Sequence, residues 1–323
     1  MADVTRQLNE YLEQITLSSD QENNLRRSRE ALAEKIKDSF HEHGRPNLRF
    51  VQQGSFDMRT IIVPIDDDGE YDLDYGVYLQ GYDDLEEKWP SPFTVHRWII
   101  DAVKDHTQTE PENKNTCVRV IFKKQYHIDL PSYIETDYKC KLSHLRKGWI
   151  QSQPKDITNW FQAQIKEKGE DLRNVVKILK GWADFQEQRR GKMPSGLVLT
   201  ILAANNYVQC DRLDECVFRT VLKIMESVRL CVQVANPTDP RELVSDRLSD
   251  AVKSRFQEAI QDFYENLKKA YLESSLSYSC DLWRAEVGSR FPTYSAPDEQ
   301  QQKDIKQMSQ SFIARKTIKP WGY

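Results

Sequence analysis

The chain has 323 residues, 39% of them hydrophobic and 30% charged, with a formal net charge of −4. That length can bury one large core or two moderate ones, and the acidic balance argues against broad charge-driven nucleic-acid binding while leaving room for a local basic pocket. No apolar run is long enough to span a bilayer, and the opening MADVTRQLNEYLEQ lacks a signal-peptide core; the six cysteines (Cys117, Cys140, Cys210, Cys216, Cys231, Cys280) form no CxxC pair and read as reduced, mostly buried thiols of a cytoplasmic protein.

In chain order, Asp20 is expected to cap a helix over QENNLRRSREALAEKIKDSFHEH, with Gly44 ending it. Leu25, Leu32, Ile36 and Phe40 fall on one apolar face of that helix. After Arg45-Pro46 the texture changes. RFVQQ reads as a short strand ending at Gly54-Ser55, and YDLDYGVYL (71–79) alternates as strands do. A helix is predicted over 94–104. CVRVIF and YHIDL then read as two strands separated by the polar Lys123-Lys124-Gln125. Residues 45–135 are therefore mixed α/β.

From Pro154 the chain reads almost entirely helical, with helices predicted over 157–168, 170–189, 196–207, 213–232 and 246–274. Breaks fall at Gly169 and at 191–194, 236–240 and 291–297. There is no internal repeat. The segment 296–310 is polar, and the ending KTIKPWGY is basic and aromatic. The last eight residues, 316–323, could dock a protein partner or pack back on the helices.

The strongest local signal is Asp72-Leu73-Asp74 in a predicted strand. Side chains alternate along a strand, so residues i and i+2 share a face. Two like charges pointing the same way are unfavourable without a cation or proton between them, and hard oxygen ligands suit magnesium or manganese. Alone, such a pair is better explained by a solvated strand edge. Asp129 changes the balance, because it sits between Ile128 and Leu130 in another short strand. Three carboxylates on neighbouring strands can hold two ions, the arrangement that clamps an in-line phosphoryl displacement. Gly54-Ser55, after a strand and before Phe56-Asp57-Met58, offers backbone N–H groups and a hydroxyl to phosphate oxygens.

The order GS, then DxD, then a lone aspartate resembles the nucleotidyltransferase superfamily. QQGSFDMRT, EYDLDYGVYL and YHIDLPSY together resemble, more closely, the bacterial synthases related to cyclic GMP–AMP synthase, the DncV-like enzymes of anti-phage CBASS defence. LRNVVKILKGWADF followed by MPSGLVLTIL, KGWIQSQPKDITNWF, and DLWRAEVGSRFP carry the same likeness, which covers about residues 20–295.

The resemblance implies an α+β, polymerase-β-like nucleotidyltransferase fold with a mixed sheet. It implies a catalytic core within 1–150, and a helical lobe of the oligoadenylate-synthetase kind within 151–323 closing the cleft. It also implies that Asp72 and Asp74 bind Mg2+ or Mn2+ with Asp129 completing the site, and that Gln53, Gly54, Ser55, Lys177, Lys180 and Ser195 contact the nucleotide. On a helix, Arg173, Lys177 and Lys180 share one face, while Leu172, Val175, Val176, Leu179 and Trp182 occupy another. Without the carboxylates that basic face would read as solvated.

The expected substrates are nucleoside triphosphates, ATP among them and GTP or others beside it. The expected product is a cyclic di- or trinucleotide messenger that activates a downstream effector, with control from intrinsic low activity, a bound ligand or a regulatory protein partner. Animal relatives carry a base-stacking tyrosine where this chain has Gly196, so base choice does not follow. Their zinc insertion is missing, so activation by DNA is not expected. The rival readings are a linear-product or macromolecule-modifying member of the superfamily, a scaffold with a retired site, and an RNA-binding module.

Overall fold

The computed structural model describes residues 1–65, 71–122 and 126–294. The polar separator at 123–125 and the segments 296–310 and 316–323 lie outside the described residues. The chain opens with α1 (Thr5–Ile15) and α2 (Ser19–Glu42). The cap of α2 is Ser18, two residues ahead of the predicted Asp20. The Ser18 hydroxyl accepts from Gln21 N at 3.2 Å, and the Gln21 side chain accepts from Ser18 N at 2.8 Å. This reciprocal box satisfies two helix-end donors at once, where a lone aspartate satisfies one. Gly44 follows the helix with φ +63, as expected of a terminating glycine.

Next come β1 (Leu48–Gln52), the single turn α3 (Gly54–Asp57) and β2 (Tyr71–Leu79), the last with the predicted limits. The predicted 94–104 helix is α4 (Pro92–Val103). It starts earlier because Ser91 accepts from Thr94 N and a proline tolerates the first helical position. Then follow β3 (Glu112–Asn113), β4 (Val118–Phe122), β5 (Tyr126–Leu130), β6 (Ser132–Glu135), β7 (Cys140–His144) and β8 (Gly148–Gln151).

Among the described residues these strands form one mixed sheet, ordered β3-β4-β5-β2-β6-β7-β8, with β1 also paired to β2. β2 runs parallel to β5 and β6 in one continuous register, Asp74 opposite Asp129 and Val77 opposite Ser132. At the join between β5 and β6, the Pro131 carbonyl accepts from Val77 N at 2.8 Å. β4 returns antiparallel to β5, with Arg119 opposite Asp129. One face of the sheet is apolar. Leu73, Val77, Val118, Val120, Ile128 and Leu130 pack there under Leu25, Leu32, Ile36 and Phe40 of α2 and Val95 and Ile99 of α4.

The remainder is helical: α5 (Pro154–Lys168), α6 (Asp171–Arg190), α7 (Gly196–Asn206), α8 (Leu213–Val228), a hairpin of β9 (Ala235–Asn236) and β10 (Asp239–Leu243), then α9 (Asp250–Leu272) and α10 (Leu276–Val287). Several predicted limits move, the 157–168 helix starting already at Pro154. The 213–232 helix ends at Val228, and the 246–274 helix begins only at Asp250, because Ser249 caps it and a 3₁₀ turn takes Val244–Arg247. This group has its own core around Trp182, which stacks on Phe263 with centroids 5.0 Å apart. α1 belongs to that core through Leu8, Tyr11 and Ile15.

The segment leaving α3 is laced to the helical group. Arg173 donates to the Met58 carbonyl, Lys180 to Thr60, Arg290 to the Val63 carbonyl at 2.7 Å, and Ile65 N donates to Asp184 at 2.6 Å.

Candidate active site

The polar face of the sheet carries the chemistry. Tyr71 pairs with Tyr126 and Leu73 with Ile128 toward the core, so the intervening rungs, Asp72 with His127 and Asp74 with Asp129, point to the other face. Asp72 keeps its side chain 53% exposed, whereas His127 and Asp129 are buried. The His127 Nε2 lies 2.7 Å from Asp72 Oδ1. Asp129 accepts both arms of the Arg119 guanidinium, Nε at 2.7 Å and Nη2 at 2.8 Å.

These charges perturb one another. Burial first, and then the carboxylates of Asp129 and Asp72, push Asp74 up to about 6. Burial works against charging His127, but its hydrogen bond to Asp72 outweighs that and lifts the imidazole above its ordinary value. The carboxylate of Asp129 raises Arg119. Burial and the same carboxylate push the Cys117 thiol up to about 12.

The turn after β1 is built against this cluster. Gln53 N donates to the Asp74 carbonyl at 3.1 Å, tying the end of β1 to β2. Gly54 has φ +65, and a Cβ there would overlap the Asp74 carboxylate, so only glycine fits on both counts. Gln53 itself is buried with its side-chain amide spent on two tyrosines, donating to Tyr78 at 2.8 Å and accepting from Tyr133 at 3.2 Å. Gly76 is required beneath it, since a side chain would strike the Gln53 amide. Gln53, expected among the nucleotide contacts, thus serves in this geometry to hold the turn. Ser55 follows within α3, half-buried, its carbonyl accepting from Thr60 N at 2.8 Å.

On α6 the predicted apolar residues Leu172, Val175, Val176, Leu179 and Trp182 are all fully buried. The basic residues are not on a solvated face. Lys180 is buried and donates to the Thr60 carbonyl and hydroxyl, both at 3.0 Å. Burial, then the nearby Lys177, lowers it to about 7, against the opposing pull of Asp74. Lys177 reaches the Thr16 hydroxyl at 3.2 Å. Ser195 is exposed at the head of α7 with no capping bond of its own. The adjoining Gly196 lies against the Lys180 side chain, where a Cβ would come within 3.1 Å of Cε. The structure thus brings Asp72, Asp74, Asp129 and Gly54 into one cluster. Lys180 joins the turn through Thr60, while Lys177 reaches Thr16 and Ser195 stands at the head of α7 beside Gly196, which lies against Lys180.

Sequence reasoning alone misses two residues of the cluster. Arg119 and His127 owe their places to register, one directly across β4/β5 and the other across β2/β5. A partial signal exists, because His127 is two residues before Asp129 and so must share its face. One ligand atom each from Asp72, His127 and Asp129 lie within 4.8 Å of one another, close enough to surround one divalent ion.

Residues 48–133 match the sequence profile of the family described as cyclic GMP-AMP synthase DncV-like, nucleotidyltransferase domain. Residues 48–133 thus carry a DncV-like nucleotidyltransferase domain. A cyclic GMP-AMP synthase of Escherichia albertii is 32% identical over 225 residues, covering 67% of this chain and 49% of that protein. A cyclic GMP-AMP synthase of Vibrio cholerae is 26% identical over 206 residues, 49% of this chain and 47% of that one. The chain spans about half the length of the curated relatives it matches. The crystal structure of the V. cholerae DncV cyclic AMP-GMP synthase superposes with a TM-score of 0.76 at 18% identity, over 90% of this chain and 98% of that one. The same enzyme with the linear intermediate pppA(3′,5′)pG gives 0.73 at 20% identity, over 87% and 93%. This DncV-like chain therefore has the polymerase-β-like nucleotidyltransferase fold. Among its described residues no helix is long and apolar enough to cross a membrane.

Proposed function

We propose that this chain is a metal-dependent nucleotidyltransferase that joins nucleoside triphosphates, ATP and GTP among them, into a cyclic di- or trinucleotide. The observation that carries the reading is the pair of in-register rungs placing Asp72, Asp74 and Asp129 on one face, with Gly54 packed against Asp74. The V. cholerae enzyme has been crystallised with the linear intermediate and, as a mutant, with ATP and GTP, which supports it. In the proposed division, 1–150 supplies the catalytic core and 151–323 the helical lobe that closes the cleft.

Bound Mg2+ or Mn2+, held by Asp72, Asp74 and Asp129, would neutralise charge developing on the attacking and leaving oxygens. The chain's own groups do the rest. Gly54 N–H and the Ser55 hydroxyl receive phosphate oxygens at the turn. Lys180 exchanges Thr60 for the triphosphate, with Lys177 and Ser195 beside it. Asp129 accepts the proton of the attacking ribose hydroxyl. The 3′- or 2′-oxygen forms its bond to the α-phosphorus as the bond to pyrophosphate breaks, and a further such step closes the ring.

In a bacterial cytoplasm the product would serve as a defence messenger for a separate effector. The test is incubation with the four labelled triphosphates, mass spectrometry of the product and nuclease digestion to look for free ends. A ring without ends is expected; a product with free ends would make this a linear-product enzyme.

A further inference from the structure

The three aspartates are not alone on their face. The next rung on that face joins Asp72 to His127, and its imidazole is buried. We propose, on the metal-assisted reading above, that His127 is a metal-ligating residue, giving the site a mixed oxygen–nitrogen donor set that favours manganese over magnesium.

The convergence supports this directly. Ligand atoms around one ion stand about 2–2.3 Å from it, hence about 3–4.5 Å from each other. Atoms of Asp72, His127 and Asp129 already fall within 4.8 Å of one another. His127 Nε2 and Asp72 Oδ1 are 2.7 Å apart, so an ion entering between them needs only a small separation of the pair. Asp72 is half-exposed and leaves an approach from solvent. Asp74, two residues along β2 and opposite Asp129, leaves a second ion position that does not involve the imidazole. Magnesium prefers an all-oxygen octahedron and sheds water reluctantly, whereas imidazole nitrogen is a good donor to first-row transition ions. The competing role is a positioning one, in which His127 only orients Asp72 through its hydrogen bond.

The test uses Mn2+ alone with the full chain. Free Mn2+ is followed by continuous-wave electron paramagnetic resonance, Mg2+ by competition, and bound Mn2+ by pulsed measurements of nitrogen coupling. Native protein should bind Mn2+ about tenfold or more tighter than Mg2+ and show 14N coupling. His127→Ala should lose the coupling and about tenfold in Mn2+ affinity, with a smaller change for Mg2+. Should His127→Ala fold poorly, as judged by its melting curve, His127→Gln keeps the volume with an oxygen donor and should equally lose the coupling. Bound Mn2+ without 14N coupling in the native protein, or coupling that survives in His127→Gln, overturns the ligand role while leaving the metal site intact. No Mn2+ binding at all, with Asp72→Ala indistinguishable from native, overturns both the ligand role and the metal-assisted reading.

Discussion

The two faces of the central sheet are made by alternate residues of the same three strands. On one, Leu73, Ile128, Val118 and Val120 lie under α2 and α4 and are fully buried hydrocarbon. On the other, Asp72, Asp74, His127, Asp129 and Arg119 crowd like and unlike charges within a few ångströms. The first face gains free energy by exclusion of water. The second costs free energy, because burial and the neighbouring carboxylates push Asp74 up to about 6. One-residue alternation thus separates the stabilising face from the proposed catalytic one, and substitutions on the two faces should fail in opposite ways.

The largest effect is expected on the charged face. Asp72→Ala with Asp74→Ala should lower turnover by about a thousandfold or more, since several kcal/mol of charge stabilisation are lost. Its melting temperature should hold or rise as like charges are removed. A fall of several degrees would blur the contrast between the faces. Leu73→Ala, one residue away, should do the reverse, costing about 2–5 kcal/mol of stability in a denaturant titration with turnover per folded molecule kept.

Gly54→Ala sits in the turn after β1, packed against Asp74. It should cost about 1–3 kcal/mol and displace Asp74, so stability and kcat/KM should fall together. Lys180→Ala should weaken triphosphate binding by about tenfold to a hundredfold, as for a charged hydrogen bond, whereas Lys268→Ala, whose side chain lies over Tyr264, should leave it unchanged. Equal affinities in isothermal titration would remove Lys180 from the site.

The smallest effect is in pH. Lys180 is lowered to about 7 in the fold, so between about 7 and its ordinary 10.5 the unfolded chain binds more protons than the native one. The penalty of burying its charge is fully present below 7 and lifts as pH rises through that window. The melting temperature of the native chain should therefore gain on that of Lys180→Met between pH 7 and 9.

Much of this architecture is legible in the amino-acid pattern itself. The alternation of YDLDYGVYL places β2 to the residue and puts both aspartates on one face, because a period of two leaves no choice. The apolar stripe of α6 is equally readable. Other features are hidden for identifiable reasons. Ser18-x-x-Gln21 is a readable capping signal, but Asp20 stands nearer the apolar run and obscures it. β7 and β8 are short and polar, so they have no alternation strong enough to mark them. α1 buries Leu8, Tyr11 and Ile15 only by leaving its sequence neighbours for the helical core, which no local pattern announces. Arg119 and His127 enter the site through strand register, and Lys180 turns to Thr60 through the docking of two lobes. Both are properties of tertiary pairing, not of the segments that carry them.

The central claim is that the acidic face of the sheet drives nucleotidyl transfer. Pyrophosphate release from ATP and GTP, compared between native protein and the Asp72→Ala/Asp74→Ala double variant in Mn2+ or Mg2+, tests it most directly. The expected result is release by the native chain that stops on chelation and is absent in the folded double variant. Undiminished release by that variant would contradict it.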